Sequence, residues 1–242
     1  MTTQIQRNDQ LLRRIVRAID KAIADDVPRI RQEMQLETDN YVRFIRSDCI
    51  HDNLKTLAVS EDVQIIPFKR YSWKGRMLVD HANRITYSIT TRQNLDAIPK
   101  KKDRRAPHFL MSMLAVENGD LEGQYEQLTL FPMDQFDEET YEEDYDTIIN
   151  GALDPSAGYR HYVITYEFTG ETLLEVDVVF LDKNFTVIDK ESIREYIKPD
   201  FARLTGSAAA PEDAAENKPS IKNHLSLKPG LKPQLYEEEK QA

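Results

Sequence analysis

The chain of 242 residues has a single cysteine, Cys49, and only eight glycines. One thiol excludes an internal disulfide and a cysteine-rich zinc site, which is typical of a protein from a reducing compartment. The glycines form neither a GxGxxG nor a GxxxxGK motif, the five histidines lack metal-site spacing, and no GxSxG motif indicates a catalytic serine. We therefore expect no cofactor, no metal site and no catalytic residue.

Long apolar runs are also missing from the sequence. No segment approaches the roughly 20 apolar residues that cross a bilayer, and the first ten residues lack the apolar core of a signal peptide. Together with the lone thiol, these absences predict a cytoplasmic protein that does not bind membranes. The composition, with 40% hydrophobic and 31% charged residues, is otherwise ordinary for a globular protein.

Positive charge is absent from a long stretch in the middle of the chain. Residues 106–159 contain thirteen acidic residues and no lysine or arginine, whereas residues 69–105 contain eleven basic and three acidic residues. The net charge of −10 argues against nonspecific nucleic-acid binding by the whole surface. The segregation itself predicts two surfaces of opposite sign, each able to attract an oppositely charged partner.

Hydrophobic spacing predicts one α+β domain over residues 1–205, in which N-terminal helices precede an antiparallel sheet of two meanders with interspersed helices. The predicted helices cover residues 9–25, 28–36, 38–57, 107–118, 137–150 and 191–197. The predicted strands cover residues 63–69, 76–80, 84–90, 159–168, 172–181 and 185–189. A three-residue loop, 169–171, is expected to place Phe168 and Leu174 on the same inward face as their apolar neighbours.

The composition changes after Leu204. Residues 206–242 are rich in small, charged and proline residues and contain few large apolar side chains. Such a stretch cannot offset its ordering entropy by burial, so we expect a flexible, disordered C-terminal tail. Within it, Leu231, Leu235 and Tyr236 suggest a linear docking motif, and the alternative is a solubilising extension.

The segment KRYSWKGR, residues 69–76, interleaves cations with aromatic residues, which suits a phosphate backbone and base stacking. A second basic run follows at residues 100–105. The candidate nucleic-acid-binding residues are Arg70, Trp73, Lys74, Arg76, Lys100, Lys101, Lys102, Arg104 and Arg105. In the alternative interpretation, Trp73 packs over the sheet while the cations are solvated or pair with the acidic run.

The segment DQFDEETYEEDYD, residues 134–146, combines eight acidic residues with three aromatic residues. An acidic helix face can imitate phosphate and occupy a basic groove on a protein partner. The candidate partner-binding residues here are Glu138, Glu139, Glu142 and Glu143. In the alternative interpretation, the acids form a solvated side of a helix whose tyrosines face the core.

Three carboxylates of the second meander, Glu167, Glu175 and Asp177, are predicted to share one face, where they could converge on a hard metal ion. However, the spacing of Asp189 and Lys190 does not match the acid-x-Lys pattern of metal-dependent nucleases. We expect Lys190 to pair with Asp177 across the strands instead.

Several segments carry a resemblance to a known family. The segments FKRYSWKGRMLVDHANRITYSIT, RRAPHFLMSML, VVFLDKNFTVID and REYIKPDF resemble an uncharacterised bacterial domain family of unknown function, found in Gram-positive genomes and their prophages or mobile elements. The similarity covers most of residues 8–205 and leaves the tail outside. It implies a cytosolic accessory protein of phage or mobile-element biology and transfers no catalytic residue, because the family carries no assigned activity.

These observations favour a non-catalytic interaction protein with a protein partner, acting as a regulator, inhibitor or antitoxin-like partner in phage or mobile-element biology. The alternative is a nucleic-acid-binding protein that uses the basic loop and linker. A second alternative is a metal-dependent phosphodiesterase that uses Glu175 and Asp177. The oligomeric state is not indicated by the sequence.

Overall fold

A computed structural model describes residues 8–70, 73–101, 103–121 and 136–198. The helices are α1 (Asp9–Lys21), α2 (Val27–Met34), α3 (Val42–Leu57), α4 (Arg92–Ala97), α5 (Phe109–Glu117) and α6 (Glu138–Ile149). The strands are β1 (Val63–Arg70), β2 (Trp73–Asp80), β3 (Ile85–Thr91), β4 (Arg160–Thr169), β5 (Thr172–Leu181) and β6 (Val187–Ser192). A π-helical turn, Ala22–Asp26, joins α1 to α2, and two short 3-10 helices cover Pro155–Ala157 and Arg194–Tyr196.

The six strands form one sheet in sequential order, β1-β2-β3-β4-β5-β6. Each predicted meander is antiparallel, which confirms the α+β class, and the two meanders meet where β3 pairs with β4 in parallel. Parallel neighbours need a long crossover, and residues 92–159 supply it with α4, α5 and α6. The crossover therefore determines which helices cover one face of the sheet.

Apolar side chains fill both faces of the sheet. On one face, Ile15, Ile19 and Leu54 from α1 and α3 pack against strand residues such as Leu78 and Ile164 in a single core cluster. Two smaller clusters on the other face join the sheet to α4, α5 and α6. Helices thus cover both sides of the sheet, and in the described part of the chain none of them is long and apolar enough to cross a bilayer.

Local signals define several helix ends. The side chain of Asn8 accepts a hydrogen bond from the Leu11 amide at 3.2 Å, and that of Asp137 accepts one from the Thr140 amide at 2.8 Å. Both residues are N-caps, and asparagine and aspartate are among the residue types preferred at that position. Asn150 ends α6 with a φ of 49°, in the left-handed region that asparagine tolerates.

Two local predictions were wrong. The β4–β5 turn has two residues rather than three, since Thr169 pairs with Thr172, and a β-bulge lets Phe168 pair with Leu173. Leu174 is therefore the extra residue and is 41% exposed, while Leu173 is buried. The helix expected over residues 191–197 is a 3-10 turn of three residues, because β6 continues to Ser192 to complete its pairing with β5.

Candidate functional site

The β1–β2 hairpin divides the candidate basic residues between the two faces of the sheet. Lys69 and Lys74 are direct cross-strand partners, and Arg76 shares their face because side chains alternate along a strand. Arg70 pairs with Trp73 on the opposite face. Residues that are adjacent in sequence thus contribute to two different surfaces.

Trp73 packs against two aromatic rings. Its ring centre lies 5.4 Å from that of Phe68 in an edge-on arrangement and 5.5 Å from that of Phe109. Gly75 makes this possible, since a Cβ at that position would lie 2.4 Å from Cζ of Phe68 and 2.7 Å from Cη2 of Trp73. The indole remains 43% exposed. It therefore covers the end of the hairpin and retains contact with solvent.

Arg70 connects the basic hairpin to the acidic helix. Its Nη2 lies 2.8 Å from Oδ1 of Asp144, and the two side chains are only 14% and 15% exposed. Asp144 also accepts a hydrogen bond from the Ser112 hydroxyl on α5. Arg70 and Asp144 thereby link β1 to α5 and α6.

The second basic run, after α4, has both exposed and partly buried cations. The exposed ones are Lys100, Lys101 and Arg105. Lys102 lies outside the described residues. Arg104 donates a hydrogen bond to the carbonyl of Ile98 at 3.0 Å, and its Nε is buried without a partner among the described residues. Burial, and then repulsion by the charge of Arg70, lowers the pKa of Arg104.

An open groove of about 630 Å³ lies between α3 and the β1–β2 hairpin and reaches the end of α6. Its basic wall consists of Lys69, Lys74 and Arg76, and its acidic wall consists of Asp48 and Asp52. Across residues 8–70, 73–101, 103–121 and 136–198, none of these five side chains forms an ion pair. The groove is thus lined by two sets of opposite charge that form no ion pair with each other.

His51 also lines this groove. Burial, and then repulsion by Arg76, lowers the pKa of His51, although Asp48 and Asp52 oppose the shift. The imidazole is consequently neutral at physiological pH and can donate or accept a hydrogen bond in the groove.

The exposed side of α6 carries the four glutamates that we call the acidic face, namely Glu138, Glu139, Glu142 and Glu143. Tyr141 and Tyr145 point the other way and are 9% and 1% exposed. The acidic face thus has no aromatic residue from its own helix, and no described lysine or arginine forms an ion pair with it. The remaining partner-binding candidates, Leu231, Leu235 and Tyr236, lie outside the described residues.

A buried polar cluster at the end of α5 was not identified from the sequence. The carboxylate of Glu117 accepts hydrogen bonds from the hydroxyl of Thr86 and, at 3.0 Å, from that of Tyr145. The Thr86 hydroxyl oxygen is also 2.7 Å from Nδ1 of His161. Thr86 and His161 are register partners in the parallel β3–β4 pair, so their contact depends on a pairing that no local pattern indicates. The signal that the sequence offered for this cluster was a polar residue within an otherwise apolar segment, such as Glu117 in α5.

Burial determines the protonation of this cluster. It raises the pKa of Glu117 to about 7 and lowers that of His161 to about 3. Thr86 and His161 are each 0% exposed, and Nε2 of His161 has no hydrogen-bond partner among the described residues. Since no substrate reaches fully buried side chains, we interpret the cluster as a structural network of the core.

The three carboxylates of the second meander have cationic neighbours. Nζ of Lys190 lies 2.8 Å from Oδ2 of Asp177, as predicted. Nη1 of Arg92 lies 3.3 Å from Glu167 and 3.8 Å from Asp177. The Ser192 hydroxyl donates to Glu175 at 2.7 Å. Within the described residues, no group of three or more histidine, cysteine or acidic side chains is arranged to hold a metal ion.

Comparison with known proteins identifies the family. A family model described as "Family of unknown function (DUF5986)" matches residues 4–242. The chain belongs to this family. The DUF5986 match agrees with the resemblance to a domain family without an assigned activity, and it includes the C-terminal residues that we expected to lie outside. Searches of curated proteins and of solved structures found no match.

Proposed function

We propose that the protein is a non-catalytic interaction protein that docks on a basic surface of a protein partner through the acidic face of α6. The observation that carries this proposal is the exposure of all four glutamates on one helix, with no ion pair to any described cation. The core side of the same helix is occupied by Tyr145, Ile148 and Ile149. The helix is therefore held rigidly while its charged side remains accessible.

The spacing of these charges supports a binding role. Glu138 and Glu142, and likewise Glu139 and Glu143, are four residues apart on α6, where each like-charge pair destabilises a helix by about 0.2–0.5 kcal/mol. The attraction of a basic partner surface to these glutamates offsets that repulsion. It also increases the association rate, because complementary charge steers the encounter of two proteins.

The proposed biological role is that of a regulator, inhibitor or antitoxin-like partner in phage or mobile-element biology within the bacterial cytoplasm. Negative charge spaced along a rigid helix resembles the phosphates of a nucleic acid. A partner whose basic groove is occupied by α6 cannot bind its own anionic ligand at the same time. Inhibition by occupancy needs no catalytic group, and this fits the proposal of a binding protein.

The test compares two variants with the same change in net charge. The test variant carries Glu138→Gln, Glu139→Gln, Glu142→Gln and Glu143→Gln. The control variant carries Glu33→Gln, Glu37→Gln, Glu61→Gln and Glu171→Gln, four exposed glutamates outside α6. The full chain is immobilised, a stoichiometric partner is isolated from extract, and its affinity is measured for each variant after thermal melting has verified folding.

We expect the test variant to lose about fourfold or more in affinity, since exposed charge pairs contribute about 0.2–1 kcal/mol each and four are removed, while the control variant keeps its affinity. Wild-type binding should also weaken as salt increases. Full affinity in the test variant, or equal losses in both variants, would reject the acidic face as the docking surface.

A second candidate function is nucleic-acid binding. Its support is the shared face of Lys69, Lys74 and Arg76 and the exposure of Lys100 and Arg105. The side chains of Arg70 and Trp73 lie on the other face of the hairpin, so a bound strand would have to pass around the hairpin end to contact every candidate. A mobility-shift titration at two salt concentrations tests it, because counterion release makes such binding fall steeply with salt. The absence of any shift with DNA or RNA at low salt would exclude it.

A further inference from the structure

Each wall of the groove beside α3 holds like charges that lie close together and repel each other. Lys69 and Lys74 are directly opposite each other on β1 and β2, and like charges in that position destabilise a sheet. Asp48 and Asp52 are one helical turn apart on α3, where like charges also repel. Since no described side chain forms an ion pair with either wall, a ligand that brings an anionic group to one wall and hydrogen-bond donors to the other would relieve both repulsions.

The size and lining of the groove indicate a small organic ligand with a phosphate. Its volume of about 630 Å³ falls within the range of about 300–1,000 Å³ that is typical of small-molecule sites. Lys69, Lys74 and Arg76 together suit a phosphate or diphosphate, which accepts charge-assisted hydrogen bonds. Pro67 and His51 provide flat, largely uncharged surfaces in the same groove, against which an aromatic ring can lie.

The acidic wall discriminates among aromatic rings. Guanine presents its N1–H and its exocyclic amino group side by side, and both can donate to a single carboxylate. Adenine presents an acceptor nitrogen beside its amino group, and this acceptor repels a carboxylate. Two carboxylates therefore favour guanine over adenine.

We propose that this groove binds a guanine mononucleotide, with its phosphates at the basic wall of Lys69, Lys74 and Arg76 and its guanine edge at Asp48 or Asp52. This site is separate from the acidic face of α6, so the proposal goes beyond the docking function and either one can fail without the other.

The experiment is an equilibrium titration of the full chain with GDP, ADP, guanosine, inorganic pyrophosphate and a single-stranded oligonucleotide. We expect GDP to bind most tightly, with ADP, guanosine and pyrophosphate each weaker by about tenfold or more, because each lacks one of the two recognised ends. The comparison of GDP with pyrophosphate separates a nucleotide site from a simple phosphate site.

Substitutions in the two walls should have different effects. Lys74→Gln with Arg76→Gln should weaken GDP and ADP alike by about tenfold or more. Asp48→Asn with Asp52→Asn should weaken GDP but leave ADP binding unchanged or tighter, because the acceptor nitrogen of adenine no longer meets a carboxylate. Lys55→Gln and Glu33→Gln, on exposed sites outside the groove, are the matched controls and should change neither affinity. Lys74→Gln alone should preserve or raise the melting temperature of the free protein, because it removes a repulsion, so loss of binding is distinguished from loss of folding.

Four results would overturn the proposal. Equal affinity for GDP and ADP would show that the acidic wall does not recognise guanine. Equal affinity for GDP and pyrophosphate would show a phosphate site only. Salt-sensitive binding of the oligonucleotide without binding of GDP, or no binding of any of these probes, would show that the groove is not a mononucleotide site.

Discussion

Arg70 and Asp144 form an ion pair of 2.8 Å that joins the basic β1–β2 hairpin to the acidic helix α6. The two oppositely charged regions of the sequence therefore meet at a largely buried contact. The glutamates of the acidic face and the cations of the basic wall take no part in it, and their exposure underlies both proposals.

We expect Arg70→Met to lower the free energy of unfolding by about 1–3 kcal/mol, because it leaves the carboxylate of Asp144 largely buried with Ser112 as its hydrogen-bond donor. The double variant with Asp144→Asn should recover part of this loss, which gives a coupling energy of at least about 0.5 kcal/mol. Urea unfolding measures both values.

The control for this prediction is Glu33→Gln, which removes an exposed pair with Arg29 whose side chains are 62% and 58% exposed. Its cost should stay below about 0.5 kcal/mol, because such pairs are screened by water. Equal losses for Arg70→Met and Glu33→Gln would show that the Arg70–Asp144 contact is not a structural link.

Glu117 should make stability depend on pH. Its pKa is raised to about 7 in the folded protein, while the unfolded chain titrates near 4.5. As pH rises from 4.5, the unfolded state therefore loses its proton first, and the free energy of unfolding falls until pH passes about 7. We expect the contribution of Glu117 to the free energy of unfolding to decrease by an amount on the order of 3 kcal/mol between pH 4.5 and about 7.

His161 opposes this trend, because its pKa is lowered to about 3 and the unfolded state gains a proton below pH 6.5. The measurement is therefore a difference between the wild type and Glu117→Gln, whose neutral amide imitates the protonated carboxyl. The variant should gain stability relative to the wild type as pH rises from 4.5 to 7. Parallel curves for the two proteins would contradict the prediction.

His108 caps α5, since its Nδ1 accepts a hydrogen bond from the Leu110 amide at 3.2 Å. Burial, and then the charges of Arg104 and Arg70, lowers the pKa of His108 to about 3 and keeps this nitrogen available as an acceptor. We expect His108→Ala to cost about 1 kcal/mol in thermal or urea unfolding, and His108→Asn to preserve the cap.

The asparagine variant also tests the sign of the pKa shift of His108. Wild-type stability should fall as pH decreases from 6.5 towards 3, because the unfolded histidine takes up a proton first. His108→Asn has no histidine to protonate at this position, so its stability relative to the wild type should increase as pH falls. A constant difference between the two proteins at all pH values would contradict the low folded pKa.

Replacing Gly75 even with alanine should lower the stability of the protein. In Gly75→Ala, the new Cβ meets the rings of Phe68 and Trp73 at less than 3 Å, and such overpacking costs about 1–3 kcal/mol. Trp73 is the single tryptophan of the chain, so its fluorescence emission should change with the displacement of its ring. The control Gly158→Ala, at a φ of 73° with nothing within 4 Å of the new Cβ, should lower stability and leave the emission unchanged. Unchanged emission in Gly75→Ala would contradict the close contact.

The elements that local chemistry controls were predictable. Asn8 and Asp137 start their helices and Asn150 ends α6, because a cap depends only on residues within one helical turn. Leu174 was misplaced because a bulge depends on how two complete strands align. Among the candidate site residues, proximity in sequence placed Trp73 together with Lys74, but the alternation of side chains along β2 separates them.

The sequence by itself determined the α+β class, the two meanders with their helices, and the segregation of charge, because periodicity, caps and composition are properties of neighbouring residues. Only the tertiary structure decided that β3 pairs with β4 in parallel. This pairing places Thr86 in contact with His161, and Thr86 also donates a hydrogen bond to Glu117. The tertiary structure also decided that Arg70 is paired while Lys69, Lys74 and Arg76 face Asp48 and Asp52 across a groove. These relationships join residues that are distant along the chain, and they arise from the packing of whole helices and strands rather than from any local pattern.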